Sequence, residues 1–284
     1  MKSTGKNVLV VGATGFLGPA LVEELSFAGF QVICGVRNLV KASRQLSFPN
    51  VAFIKVDLNS DLKPELWLTR LKEHQIDYVV NNVGIANSFG SQSIENVNVL
   101  APLALFKAMK SYHGEQKHDK EDSIQRIIQI STTGADWPDY DKFPYPASKR
   151  LLEEQLAGLG CISYTIIRPN VIYEPERGHL VLEQIAKIPV IFYIGRALIQ
   201  PVHCREIAIG VARLLTRGNN SEHTLLRATG PIPMTWKEIF ASSSAALGKK
   251  PLCFCPVPLK IAQLVTLMIQ KLPEKILYRF GILS

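Results

Sequence analysis

Asn7-Val8-Leu9-Val10-Val11-Gly12-Ala13-Thr14-Gly15-Phe16-Leu17-Gly18 is the stretch that decides the fold. Its first five residues form a β-branched apolar run, the pattern of a strand buried on both faces in a parallel sheet. The remainder sets Gly12, Gly15 and Gly18 three apart, and a helical segment follows from Pro19-Ala20-Leu21-Val22-Glu23-Glu24-Leu25. Glycines at this spacing let the backbone turn tightly, approach a pyrophosphate and pack helix on strand, while the helix N-terminus offers amides to phosphate oxygens. A glycine loop between a strand and a helix at the head of a chain therefore signals dinucleotide binding; a turn that merely closes a βα unit is the bland alternative. Thr14, Phe16 and Leu17 lie inside the loop and share its expected ligand contacts.

Moving outward, a second strand, Gln31 to Val36, closes with Arg37-Asn38. An acidic residue here would accept hydrogen bonds from the adenosine ribose hydroxyls and select NAD; an Arg pairs instead with a 2′-phosphate. The chain has Arg37, so NADP(H) is expected in preference to NAD(H), with Lys41 either assisting or solvated. Val51 to Leu58 reads as a third strand whose end, Asp57-Leu58, falls near an adenine. Tyr78-Val79-Val80 leads into Asn81-Asn82-Val83-Gly84, where polar and small residues, Asn82 and Gly84 among them, can face a cofactor. Asn98 opens an apolar helix running to about Met109, as a buried hydrogen-bonder or a participant in proton transfer. From Tyr112 to Ser123 the chain turns polar and reads as a surface connection.

A fifth strand, Arg126 to Ile130, delivers Ser131-Thr132-Thr133, and Tyr145-Pro146-Ala147-Ser148-Lys149 follows at the start of a helix. A spacing of i, i+4 puts Tyr145 and Lys149 on one helical face. Tyrosine titrates near ~10 in water, so an acid–base role at neutral pH calls for a neighbouring positive charge, which Lys149 is placed to supply. Alone, the pair is more often an exposed helix face. Strands alternating with helices imply an α/β fold: a Rossmann-type doubly wound parallel sheet with ligands at the carboxyl ends of the strands, and a small C-terminal substrate lobe.

The order Gly12-x-x-Gly15-x-x-Gly18, Asn81-Asn82-x-Gly84, a hydroxyl cluster after the fifth strand, Tyr145-x-x-Ser148-Lys149 with Glu153, and Arg168-Pro169-Asn170-Val171-Ile172-Tyr173 resembles the short-chain dehydrogenase/reductase superfamily, in its extended or atypical branch of epimerases, dehydratases and reductases. The resemblance covers about residues 7 to 240. It implies Tyr145 as general acid/base, and Lys149 as the residue that lowers its pKa and hydrogen-bonds the nicotinamide ribose. A hydroxyl holds the substrate oxygen: Thr133 by position, with Ser131 and Thr132 as alternatives. Pro169, Asn170 and Val171 are implied along the nicotinamide. The implied chemistry is hydride transfer between nicotinamide and a carbonyl or carbinol carbon; a non-catalytic NADPH-binding accessory or redox-sensing protein, or a nucleotide-sugar epimerase/dehydratase, is the alternative. One departure stands out: Arg205-Glu206, in Gln200-Pro201-Val202-His203-Cys204-Arg205-Glu206, occupies positions where acidic residues are usual.

Length and composition fit this picture. The 284 residues suffice for one large α/β domain with an appended lobe, here 1–230 as the NADP-binding domain, with 170–199 contributing to the substrate side, and 231–284 as the lobe. At 47% hydrophobic and 20% charged residues, the composition argues against disorder, and a net charge of +8 without a Lys/Arg-dense run gives no reason to expect nucleic acid. Five cysteines, an odd count without a Cys-x-x-Cys pair, and six scattered histidines argue against a disulfide framework or a metal site; Cys253-Phe254-Cys255 is the single stretch that could bind a metal or act as a redox pair. The N-terminus shows no signal-peptide pattern, and a reducing, cytoplasmic setting is expected.

The apolar stretch Leu180 to Ile199 favours an apolar substrate over a sugar nucleotide, or is simply core. Thr235 with Glu238 forms a capping box that starts a late helix. An amphipathic helix from about Leu259 to Lys271 reads either as an interfacial anchor on an anionic membrane or as a cover over the substrate cleft or a partner subunit. Either a monomer or a homodimer is compatible with the sequence.

Overall fold

The computed structural model describes residues 3–88, 92–116, 126–160, 162–174, 190–194, 198–217, 223–246, 248 and 253–258. The first half alternates strand and helix: β1 (Asn7–Val11), α1 (Gly18–Phe27), β2 (Gln31–Val36), α2 (Leu39–Gln45), β3 (Val51–Lys55), α3 (Pro64–Glu73), β4 (Tyr78–Asn81), α4 (Ala101–Gln116), β5 (Arg126–Ile130), α5 (Pro144–Gly158) and β6 (Ser163–Pro169). The rest comprises β7 (Ile172–Tyr173), β8 (Val190–Ile194), β9 (Leu198–Ile199), β10 (Val202–His203), α6 (Cys204–Thr216), β11 (Thr224–Ala228), β12 (Met234–Thr235), α7 (Trp236–Ala246) and β13 (Cys253–Val257).

Seven strands form one sheet in the order β11-β6-β5-β4-β1-β2-β3, and every neighbouring pair is parallel. Because successive side chains on a strand point to opposite faces, the apolar runs feed two cores. Val8, Val10, Val32, Val80 and Ile128 pack with α1 and α6 on one face. On the other, Leu9, Val11, Ile33, Val79 and Ile127 meet Trp67 and Leu71 of α3, Phe106 and Met109 of α4, and Leu152 and Leu156 of α5. This is the doubly wound α/β sheet that the sequence implies, with order reversal between β1 and β4 opening a crevice at their carboxyl ends.

Two elements depart from their expected bounds. β3 ends at Lys55, because Asp57 leaves the ladder: its backbone amide donates to Asp61 Oδ2 at 2.9 Å, and its Oδ1 accepts from the Asn59 amide at 3.0 Å. The polar stretch after Tyr112 continues α4 as far as Gln116, and Tyr112 itself is buried in the second core, so a residue expected on the surface is a packing residue. Residues 117–125 of that connection lie outside the described residues.

The Arg205-Glu206 departure has a local explanation. Arg205 Nε donates to Glu24 Oε1 of α1 at 2.8 Å, while Glu206 accepts from the His203 amide at 3.4 Å and His203 Nδ1 accepts from the Arg205 amide at 3.0 Å. The basic residue thus ties α6 to α1 and its acidic neighbour caps α6.

By internal packing the chain divides into two compact units, Met1–Ile172 with Val202–Thr229, and Tyr173–Pro201 with Gly230–Ser284. In the second unit β9 pairs antiparallel with β12 and β8 pairs parallel with β13. The expected capping box is present there: Glu238 Oε2 accepts from the Thr235 amide at 2.7 Å, and the Glu238 amide donates to Thr235 Oγ1 at 3.3 Å. Most of the Leu180 to Ile199 stretch and the whole amphipathic segment from Leu259 onward lie outside the described residues.

Candidate functional site

Gly12 ends β1 at φ +83°, a conformation that glycine adopts without strain. A Cβ there would sit 2.8 Å from the Asn82 carbonyl oxygen, and Asn82 Nδ2 in turn donates to the Gly12 carbonyl at 3.1 Å. The end of β4 thereby fixes the first turn of the loop. At the other end, a Cβ on Gly18 would lie 2.3 Å from the Ala13 carbonyl, so only glycine allows α1 to start this close beneath β1. Leu17 is the buried residue preceding α1, whereas Thr14 and Phe16 are exposed.

The loop forms one wall of a cleft. Gly12, Thr14 and Gly15 line it together with Arg37, Asp57 and Leu58 from the ends of β2 and β3, and Asn82, Val83 and Gly84 from the end of β4. The glycine loop and three strand ends so converge, and every residue named was an expected cofactor contact except Val83, which is the addition. Arg37 is exposed, and neither it nor Lys41 forms an ion pair among the described residues; the Lys41 amide is held by Asn38 Oδ1 at 2.9 Å at the start of α2. Asp61, unmarked by any sequence motif, organises the β3 end: it accepts from the Asp57 amide and from Arg70 Nη1 at 2.8 Å.

Gly84 joins this cleft to the tyrosine and lysine. A Cβ on Gly84 would lie 3.0 Å from Lys149 Cε, 3.1 Å from its Nζ and 3.1 Å from Tyr145 Cε2. Both side chains therefore reach the cleft wall at a position that has none of its own. Lys149 is 1% exposed, and its ammonium donates to the Ile130 carbonyl at 2.9 Å and to the Val83 carbonyl, two backbone oxygens at the ends of β5 and β4. Burial pulls its pKa from 10.5 down to about 8, against the opposing field of Glu153. Gln129 supports the same carbonyl: its Nε2 donates to Ile130 O at 2.6 Å and its Oε1 accepts from Asn81 Nδ2 at 2.6 Å.

Tyr145 behaves differently from the sequence expectation. Burial raises its phenol above the ordinary 10, and Lys149 does not reverse this, because the ammonium is drawn to the two carbonyls and stands 5.8 Å from the Tyr145 ring centroid. A tyrosine in this state carries its proton at neutral pH. Its backbone is held by Ser148 Oγ, which donates to the Tyr145 carbonyl at 2.7 Å and accepts from Asn98 Nδ2 at 2.9 Å. Asn98 also clamps Ile85, accepting from its amide at 2.9 Å and donating to its carbonyl at 3.0 Å, from a one-turn π-helical widening at Asn96–Leu100. Its side chain is therefore a buried structural hydrogen-bonder that fixes the strand-end segment beside Gly84.

The three hydroxyls after β5 separate by their partners. Thr132 Oγ1 accepts from the Gly134 amide at 3.1 Å, which caps the turn Thr133–Asp136 and leaves its O–H to donate. Ser131 is buried, with no hydrogen-bond partner for Oγ among the described residues. Thr133 is half-buried at the first position of the turn.

An ion network that motif reading did not assemble ties these parts together. Arg168 of β6, 3% exposed, forks onto Glu153 of α5, 4% exposed, with Nε to Oε1 at 2.9 Å and Nη2 to Oε2. Its Nη1 donates to Asp136 Oδ1 at the end of the hydroxyl-bearing turn, and Arg227 Nε of β11 donates to Asp136 Oδ2 at 2.8 Å. The hydrogen bond from Arg227, with the field of Arg168, holds the Asp136 carboxyl below its usual range. Since Arg168 takes both oxygens of Glu153, little of that carboxylate's charge is left for Lys149. Glu153, one helical turn after Lys149, was the available sequence signal. Beyond β6, Pro169-Asn170-Val171 is pinned on both sides: the Asn170 amide donates to Ala228 O at 2.9 Å, and Val171 O accepts from the Val202 amide at 2.9 Å.

The fold and this site together define a dinucleotide-binding Rossmann protein with a half-buried tyrosine and a buried lysine beside the nucleotide cleft. The NAD dependent epimerase/dehydratase family matches residues 8–226, and the chain belongs to that family. Among curated relatives, it is 24% identical over 243 residues to the mitochondrial NADH dehydrogenase [ubiquinone] 1 alpha subcomplex subunit 9 of Dictyostelium discoideum, covering 84% of this chain and 63% of that protein. It is 28% identical over 187 residues to the chloroplastic Protein TIC 62 of Pisum sativum, covering 59% of this chain and 33% of the relative. The chain thus spans less than two thirds of the length of either relative. Among solved structures, the UDP-glucose 4-epimerase of Thermus thermophilus, in complex with NAD, shares the fold with a TM-score of 0.69 at 22% identity, over 89% of this chain and 86% of that one.

Proposed function

We propose that the protein is an NADPH-dependent oxidoreductase that reduces a carbonyl compound to a secondary alcohol, with Tyr145 as the proton donor. The observation that carries this reading is the approach of Tyr145 and Lys149 to Gly84, at the inner end of a cleft that starts at the glycine loop. The residues fit a dinucleotide. Side-chain-free Gly12 and Gly15 leave room for a pyrophosphate, and Asp57 and Leu58 flank the adenine end. Exposed Arg37, without an ion-pair partner among the described residues, supports NADP(H) over NAD(H) through its charge on a 2′-phosphate.

When bound, nicotinamide supplies or accepts the hydride. The chain's own residues do the rest. Tyr145, kept neutral by burial, donates its phenolic proton to the oxygen of a carbonyl as negative charge develops there. Lys149 supplies an ammonium for ribose hydroxyls and a positive field beside the resulting phenolate. Thr133, with Ser131 and Thr132 as alternatives, donates a second hydrogen bond to the same substrate oxygen, and Arg168, through Glu153 and Asp136, holds the turn and the helix in register. Proton donation in the reducing direction starts from the neutral phenol, the form that burial maintains. An apolar substrate is the narrower reading carried by the apolar composition of residues 180–199.

A second reading has its own support. The similarity to the Dictyostelium NADH dehydrogenase subunit runs over 84% of this chain, which favours an accessory protein that holds the nucleotide without turnover. A nucleotide-sugar epimerase or dehydratase, the activity named for several fold neighbours, is the other alternative. The test is NADPH and NADH titration of the purified protein, followed by NADPH consumption over a panel of aliphatic ketones, aryl ketones and quinones, and by product analysis of nucleotide sugars, whose epimerisation or dehydration consumes no net cofactor. Turnover of any carbonyl in the first three classes with tighter NADPH than NADH binding supports the proposal. Binding without turnover over the whole panel moves the assignment to the accessory protein.

A further inference from the structure

The second unit carries chemistry that the cleft does not use. β13 places Cys253, Phe254 and Cys255 in extended conformation, and strand alternation puts both cysteines on one face with Phe254 on the other, where Lys237 Nζ stands 5.9 Å from its ring centroid. The two thiols are 3.6 Å apart, sulfur to sulfur, and are hydrogen-bonded to each other. Cys253 is exposed and Cys255 half-buried. Cys34 and Cys204 differ from them: both are buried, the Cys34 thiol is pushed up to about 12 by burial, and Cys204 Sγ donates to Phe16 O at 3.9 Å. Among the described cysteines, solvent reaches the adjacent pair and not the others.

The backbone allows the pair to bond. Two residues of strand advance about 6.6 Å, inside the ~4.4–6.8 Å that a disulfide spans between Cα atoms, and the sulfurs need to close from 3.6 Å to about 2.0 Å. A bridge near the upper end of that span is strained, and strained exposed disulfides are the readily reduced ones. The geometry suits a reversible couple better than a structural staple.

We propose that Cys253 and Cys255 form a redox-active dithiol that exchanges with low-molecular-weight disulfides such as glutathione disulfide, closing an intramolecular Cys253–Cys255 bond. The Cys253 thiolate attacks one sulfur of the external disulfide; an S–S bond forms to Cys253, the external S–S bond breaks, and the first thiol leaves with the proton that Cys253 gave up. Cys255 then attacks the Cys253 sulfur. The mixed disulfide breaks, the second external thiol leaves carrying the Cys255 proton, and the protein has lost two electrons that the external disulfide has gained. Cys253 attacks first because it is the more exposed sulfur, and because its hydrogen bond, followed by burial, raises the Cys255 thiol and keeps it protonated until the second step. Closure draws together the residues that face Val190 and Phe192 across the β8–β13 ladder, so oxidation is coupled to that two-stranded sheet.

The full-length protein, incubated with excess glutathione disulfide, quenched in acid and alkylated, gives a direct readout. Lys250 precedes Pro251, so trypsin leaves both cysteines, and no others, in the peptide 250–260. The proposal expects this peptide to be unalkylated, lighter than the dithiol by two hydrogens, free of glutathione, and restored by dithiothreitol. Cys255→Ser should trap a persistent glutathione adduct on Cys253, and Cys253→Ser should react about tenfold more slowly. A wild-type peptide that stays alkylatable at both sites, that accumulates a stable glutathione adduct, or that links to a second chain overturns the proposal. So does equal reactivity of the two Ser variants.

Discussion

Lys149→Met is the substitution whose effect follows most directly from the geometry around Tyr145. The wild-type ammonium is 1% exposed and its pKa is pulled from 10.5 to about 8 by burial. At about 1.4 kcal/mol per pH unit, that displacement corresponds to roughly 3 kcal/mol of cost for the charged form in the folded state. The hydrogen bonds to Val83 O and Ile130 O favour the charge and pull the other way, so roughly 3 kcal/mol is a ceiling. The folded pKa lies below the unfolded one, so between about pH 8 and 10.5 the unfolded chain binds more protons, and stability rises with pH through this window. Below pH 8 the full cost is present; above 10.5 it is gone.

Methionine keeps the length and removes the titration. Urea denaturation of wild type and Lys149→Met at about pH 7, 8.5 and 10, at constant salt, gives a difference in which the other titrating groups cancel. Wild type should gain on the variant by about 1–3 kcal/mol between pH 7 and 10. A difference that does not change with pH, or wild type losing ground as pH rises, would refute the reasoning. The second result would mean that Glu153, despite its fork with Arg168, neutralises Lys149 well enough to hold it charged.

Removing Arg168 strands a buried carboxylate, so Arg168→Met is expected to lower stability by about 3–5 kcal/mol, and adding Glu153→Leu should recover most of the loss, as read by denaturant midpoints. Gly12→Ala combines a φ of +83° with a Cβ 2.8 Å from the Asn82 carbonyl, and should lower dinucleotide affinity by tenfold or more in a titration, about 1.4 kcal/mol at the least. Arg37→Asp should weaken NADPH binding by about tenfold or more and bring NADH to parity or better; unchanged affinities for both nucleotides would remove Arg37 from the site.

Much of this architecture was legible because it is local. β1, the glycine loop and α1 follow from a β-branched run, three glycines and a helical period within Asn7 to Leu25, and β2 starts and stops where its apolar run does. The capping box at Thr235 and Glu238 is likewise a three-residue relation. What could not be read depends on partners remote in sequence. Arg168 looked like a family signature, and its fork to Glu153 and link to Asp136 join residues 15 and 32 positions away. The direction of the Tyr145 shift escaped for the same reason: the spacing to Lys149 is helical, but where the ammonium points is decided by the carbonyls of Val83 and Ile130 at two strand ends. Tyr112 was misassigned to the surface because its polar neighbours hid one apolar position of α4. Ser131, Thr132 and Thr133 all keep a hydroxyl proton to donate, since Thr132 only accepts from the Gly134 amide, and local structure does not choose among them.

The central claim is that Tyr145 donates a proton in a reaction run on bound NADPH. Its most direct measurement is Tyr145→Phe beside wild type, with NADPH affinity and NADPH consumption against a turned-over carbonyl determined on the same preparations. The account predicts unchanged affinity within about twofold and a fall in turnover of about 10²–10⁴-fold, the range that a positioned proton donor contributes. Turnover in Tyr145→Phe equal to that of wild type would contradict it.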